Sequence, residues 1–171
     1  PGTLYQASGM HTMQAAPDFT LNGKPIGADI KDGYAVITRT WKKGDKLSFT
    51  FEMPVLQLTA RNELKQANGR ISLQRGPLVY CVEAADNGGH AWNFIVPEGT
   101  EFRTKESQVL GENIIALEAE VPFLKTSADG QSVTTQTRTL TAIPYYTWAN
   151  RGKGEMQVWL PQKFERITVN R

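Results

Sequence analysis

The chain has 171 residues, of which 40% are hydrophobic and 21% charged, and 19 Lys and Arg set against 17 Asp and Glu leave a formal charge of +2. That much apolar material can bury a core and argues against disorder. The basic residues are scattered, Lys42-Lys43 being the longest run, which argues against nucleic-acid binding, and no apolar run approaches the roughly 20 residues that span a bilayer.

Taken in chain order, the dominant period is two. Phe19–Leu21 and Pro25–Ile26 flank Asn22-Gly23, the strongest short hairpin signal available. In the run from Tyr34 to Trp41, Tyr34, Val36 and Thr38 oppose Ala35, Ile37 and Arg39. From Lys46 to Met53, Leu47, Phe49, Phe51 and Met53 alternate with Ser48, Thr50 and Glu52. Alternation of this kind puts one face in a core and the other in water. The link Lys42-Lys43-Gly44-Asp45 suits a hairpin between the two runs, and Pro54 closes the second, because proline cannot donate to a ladder.

Further strands are expected at Arg70–Gln74, Leu78–Glu83, Glu101–Thr104, Asn113–Val121, Ser132–Ile143, Glu155–Leu160 and Arg166–Val169, with Gly76-Pro77 breaking the first pair. About ten short strands and no 3.6-residue period predict an all-β, antiparallel β-sandwich or jelly roll. The composition shift at Ala84–Gly89 suggests a boundary between two packed sandwich units, residues 1–86 and 87–171, or else a long loop inside a single sandwich.

Catalytic constellations are sparse. His11 and His90 lie far apart, without an HxH or HExxH partner, so no metal or cofactor is expected. No GxSxG elbow offers a nucleophilic serine. Glu118 and Glu120 share a strand face about 7 Å apart at the backbone, a spacing compatible with glycoside hydrolysis. Ile115, Leu117, Ala119 and Val121 claim the opposite face for a core, so the two carboxylates read as the wet side of an amphipathic strand. Cys81, the single cysteine, has only Val79, Tyr80 and Val82 around it and reads as a small buried hydrophobe. The most suggestive segment is Tyr145-Tyr146-Thr147-Trp148, followed by Asn150 and Arg151. Aromatic faces with polar neighbours can stack sugar rings. Packing in a core or against a partner domain is the competing reading. Alternation puts Tyr146 and Trp148 on one face and Tyr145 on the other.

Three ordered blocks carry a family resemblance. The first runs from Gly33 to Trp41 and on through Gly44-Asp45 and Met53-Pro54-Val55. The second is Leu73-Gln74-Arg75-Gly76-Pro77-Leu78-Val79-Tyr80-Cys81-Val82-Glu83. The third runs from Ala142 to Gly152, continuing into Met156 and Val158-Trp159-Leu160. Together they resemble the C-terminal part of bacterial glycoside hydrolase family 127, the β-L-arabinofuranosidase family.

The resemblance implies β-sandwich domains that follow a catalytic (α/α) barrel, in which a zinc-bound cysteine nucleophile and glutamates do the chemistry. None of those residues maps onto this chain. The implied function is a non-catalytic module that packs against such a barrel, in a parent expected to be periplasmic or secreted. The chain opens Pro-Gly-Thr without an initiator Met and reads as a piece of something longer. Tyr146, Trp148 and Trp159, with Asn150 and Arg151, are the candidate interdomain or sugar contacts. A homodimer contact and a carbohydrate-binding module are the rival expectations.

Overall fold

The computed structural model describes residues 5–8 and 18–166. Its strands are β1 (Tyr5–Ser8), β2 (Asp18–Leu21), β3 (Lys24–Ile26), β4 (Asp29–Lys31), β5 (Tyr34–Val36), β6 (Leu47–Thr50), β7 (Val55–Ala60), β8 (Arg70–Arg75), β9 (Leu78–Glu83), β10 (Arg103–Val109), β11 (Glu112–Thr126), β12 (Val133–Pro144), β13 (Met156–Gln157) and β14 (Leu160–Pro161). Only short 3-10 turns interrupt them, and every pairing is antiparallel, as the two-residue period predicts. The fold is all-β. The chain divides into two compact units, one spanning His11–Pro54, the other combining Pro1–Met10 with Val55–Arg171.

The larger unit holds one sheet in the order β1-β7-β8-β9-β12-β11-β10, with β13 added to β9 and β14 to β8. Its core joins Ile71 and Leu73 of β8, Tyr80 and Val82 of β9, Leu117 and Val121 of β11, Leu140 of β12, Leu160 of β14, and Phe94 and Val96 from the connecting segment. Strands up to 90 residues apart in sequence thus share one interior, closed in the manner of a sandwich. Phe94 and Phe123 meet edge to face with centroids 4.9 Å apart, a favoured aromatic geometry. The sheet turns follow glycine chemistry. Gly76 takes φ 55° in the two-residue link that pairs Arg75 with Leu78, a conformation costly for side chains with a Cβ.

The division at residue 86 expected from composition differs from these units. Ala84–Asp86 forms a 3-10 turn, and the side chain of Asn87 sews the segment into the sheet. Its Nδ2 donates to the carbonyls of Glu83 and Thr141 at 2.8 and 2.9 Å, and its Oδ1 accepts from the Thr141 N–H at 2.9 Å. Small and polar residues here reflect a tight, hydrogen-bonded corner between β9 and β12. A linker would leave that backbone solvated.

The smaller unit contains two sheets, β3-β2-β6 and β4-β5. Asn22-Gly23 turns β2 into β3 with φ of 51° and 79°, both positive as a two-residue hairpin turn demands. The hairpin expected across Lys42–Asp45 does not form. Instead β5 stops at Val36 and pairs with β4, while β6 pairs with β2. The turn at Lys42–Asp45 exists, closed by Asp45 N–H to the Lys42 carbonyl at 3.1 Å. Its aspartate is drawn toward β2: Asn22 Nδ2 donates to Asp45 Oδ1 at 2.9 Å, and Asn22 Oδ1 accepts from the Lys46 N–H at 2.8 Å. That asparagine pairing steers β6 onto β2 and away from β5. Of the remaining strands expected from the sequence, Arg166 ends a 3-10 turn and residues 167–169 lie outside the described residues, as does His11.

Candidate functional site

The segment after β12 holds most of the residues singled out in the sequence. Pro144 ends the strand, and Tyr145–Thr147 coil into a 3-10 turn, so alternation no longer governs which side chains share a face. The Tyr145 ring meets Trp148 at 5.8 Å, where strict alternation would have separated them. Trp148 packs onto a second core cluster of Cys81, Val109, Ile114, Ala116 and Ile143. Tyr146 is left 64% exposed. Trp159 is half-buried between β13 and β14, its carbonyl accepting from Arg70 Nη1 at 3.0 Å.

Asn150 and Arg151 hold this segment in place. Asn150 Nδ2 donates to the carbonyls of Thr147 and Trp148 at 3.3 and 3.1 Å. Arg151 forks onto Asp86, Nη1 to Oδ1 at 2.7 Å and Nη2 to Oδ2 at 2.5 Å, and its Nη2 also meets Glu83 Oε2 at 2.5 Å. Glu83 is buried, and its second oxygen accepts from the Ala149 N–H at 3.2 Å, fixing a residue with φ 65°. Bidentate charge-assisted pairs are among the strongest hydrogen bonds a protein makes. The hydrogen bonds to Asp86, working against burial and aided by Glu83, push the Arg151 guanidinium further up. Both polar side chains proposed for sugar contact are thus engaged in pinning the loop.

Where β12 turns away, the sheet opens. The β11–β12 register ends at Leu117 opposite Ala142; continuing it would bring Pro144 opposite Ile115. Proline has no N–H to give, and the Ile115 carbonyl accepts instead from the Tyr80 hydroxyl at 2.8 Å. A groove of about 460 Å³ results, floored by Leu78, Tyr80, Ile114 and Pro144 and rimmed by Arg75, Tyr146, Glu106 and Asn113. Burial pushes the Tyr80 phenol up, with the neighbouring Arg75 opposing. Arg75, whose Nε is buried without a hydrogen-bond partner, makes no ion pair among the described residues. Nothing in strand periodicity pointed to Arg75 or Glu106. The one available signal was a proline closing a central strand.

The carboxylates weighed for hydrolysis are differently placed. Leu117, Ala119 and Val121 are buried, as expected, and Glu120 is exposed, accepting from Thr139 Oγ1 at 2.5 Å. Glu118, expected to be wet, is only 6% exposed, because Lys105 and Arg103 of β10 lie over it at 2.7 and 3.3 Å. The hydrogen bond from Lys105 holds its carboxyl below the usual carboxylate range, against the effect of burial and with help from Arg103. A general acid needs the opposite displacement.

Cys81 is buried in the second cluster, and desolvation, with Glu83 and Asp86 adding to it, pushes its thiol up to about 12. The zinc–cysteine chemistry of the family's barrel does not fit these residues. The single thiol is held protonated, and among the described residues no trio of His, Cys, Asp or Glu is arranged to hold a metal.

Fold and site together define an antiparallel β-sandwich region with a pinned aromatic loop and an open groove at one sheet split. The chain belongs to glycoside hydrolase family 127: residues 55–161 match the family's C-terminal domain and residues 11–53 its β-L-arabinofuranosidase middle domain. It is 29% identical over 153 residues to the non-reducing end β-L-arabinofuranosidase of Bifidobacterium longum subsp. longum, covering 82% of this chain and 23% of the relative. A solved GH127 β-arabinofuranosidase superposes with a TM-score of 0.83 at 32% identity, covering 98% of this chain and 26% of the other. The GH127 β-L-arabinofuranosidase of Geobacillus stearothermophilus T6 gives 0.71 at 34% identity, over 87% of this chain and 25% of that one. The chain therefore spans about a quarter of the length of the relatives it matches.

Proposed function

We propose that this chain is a non-catalytic β-sandwich region of a glycoside hydrolase acting on arabinofuranosyl-type glycans, and that it packs against and supports a catalytic barrel carried elsewhere in the same polypeptide. The observation that carries this reading is the bareness of the smaller unit. Leu21 is its one buried side chain among the described residues, while Tyr34 is 75% and Phe49 and Phe51 each 56% exposed. Phe19, Phe49 and Phe51 touch in a row, at 6.1 and 5.1 Å between centroids. Ile30, Val36, Trp41 and Leu47 are exposed as well. Large apolar side chains on paired strands form a surface that water disfavours and that a further layer of protein would cover. Relatives four times as long supply the candidate for that layer.

Hydrogen exchange tests the reading. Amides of residues 18–54 are expected to exchange quickly in the 171-residue chain and to gain protection of at least tenfold in the full-length polypeptide. The chain alone is expected to release nothing from an aryl β-L-arabinofuranoside. Equal protection in both contexts, or turnover by the chain alone, would overturn the proposal.

A further inference from the structure

We propose that the groove at the β9–β11 split is a binding site for a neutral sugar ring, with Tyr146 as the stacking face and Arg75, Glu106 and Asn113 as its polar contacts. This goes beyond the supporting role, because every lining residue belongs to the larger unit and the site does not depend on what covers the smaller one. The chemistry follows from what the groove leaves unmatched. Tyr146 presents an aromatic ring to solvent from a rigid 3-10 turn, held by the Thr147 hydroxyl on the Pro144 carbonyl at 2.7 Å and, further along the segment, by the Arg151 fork. A ring carried on a backbone pinned in this way loses less entropy when a ligand stacks on it than one on a free loop.

Arg75, beside the Tyr80 hydroxyl, has no acidic partner among the described residues, and exposed Glu106 on the neighbouring wall has no cationic one among them. A carboxylate ligand would satisfy Arg75 but be repelled by Glu106, and an ammonium ligand would meet the reverse. Hydroxyl groups both donate and accept, so a polyol satisfies the two walls together. Its C–H face suits the phenol ring. Asn113 adds an amide whose oxygen is already taken by Gln108 Nε2 at 2.8 Å, leaving its N–H groups as donors. The groove volume of about 460 Å³ lies in the range of small-ligand sites.

The test is a titration of the ¹⁵N-labelled chain with methyl β-L-arabinofuranoside, methyl β-D-glucopyranoside and sodium acetate, each separately. At least one neutral glycoside is expected to give saturable shifts at Tyr146, Glu106, Asn113 and the Arg75 Nε–H. Tyr146→Ala is expected to weaken that binding about tenfold, the scale of one lost aromatic contact, and Glu106→Gln to weaken it less. Tyr146 is exposed, so its truncation opens no core. Tyr146→Phe, which keeps the ring, is expected to bind nearly as well. Absence of shifts with both glycosides at tens of millimolar, shifts that survive Tyr146→Ala, or saturation by acetate in place of sugar would each overturn the proposal.

Discussion

The two units use the same backbone grammar and end in opposite conditions. In residues 55–166, alternation is cashed out as burial: Leu117, Ala119 and Val121 of β11 face the shared core, and Leu140 and Ala142 of β12 join them. In residues 18–54 the alternation is at least as regular, yet Leu47, Phe49 and Phe51 stay exposed. Hydrogen-bond pairing and two-residue turns therefore suffice to define strands, while a hydrophobic face is satisfied only when a second layer exists. Small sheets gain independent stability from a packed hydrophobic face, not from pairing alone.

Mutations can sharpen that contrast. The largest effect is expected from Arg151→Ala, which leaves Glu83 buried without its countercharge. Breaking such a cluster from one side costs about 3–5 kcal/mol, read as a lowered denaturation midpoint and as faster labelling of the buried Cys81 thiol. Next is Gly23→Val in the smaller unit, where φ of 79° meets a β-branched side chain. A cost of roughly 1–2 kcal/mol is expected, visible in the full-length polypeptide as lost amide protection in β2 and β3 with Cys81 labelling unchanged.

Acid should act on the two units through different groups. Glu118 in the larger unit and Asp45 in the smaller are both held below their ordinary values, Glu118 chiefly by Lys105 and Asp45 chiefly by the Lys42 N–H. A folded value below the unfolded one means stability that is present above about pH 4 and is lost as pH falls through the folded value. Lys105→Met is expected to cost up to about 1 kcal/mol at neutral pH and to flatten the acid limb of the larger unit alone. The smallest effect should come from Phe49→Ser, within about 0.5 kcal/mol in this chain. The same change should cost much more in the full-length polypeptide. Equal costs in both would remove the distinction between a bare face and a covered one.

The site was less legible than the fold. Asn22-Gly23 announced its hairpin, and Asp32-Gly33 and Leu110-Gly111 carry the same positive-φ signature at their turns. The pairing of β6 with β2 hid in the asparagine–aspartate contact between Asn22 and Asp45, 23 residues apart. Arg151 looked available to a ligand because its acceptors, Asp86 and Glu83, lie more than 60 residues upstream, while Asn150 spends its amide on the Thr147 and Trp148 carbonyls of its own turn. Glu118 looked wet for a similar reason, since the lysine and arginine above it come from the adjacent strand.

By itself, the amino-acid order determined the two-residue period, the glycine turns and hence an antiparallel all-β fold, because these depend on the backbone preferences of neighbouring residues. Only the tertiary structure decided which apolar faces are covered, which charges are matched, and that the sheet opens beside Tyr146. Burial and ion pairing are set by what packs opposite a side chain, and the sequence positions that supply it are remote.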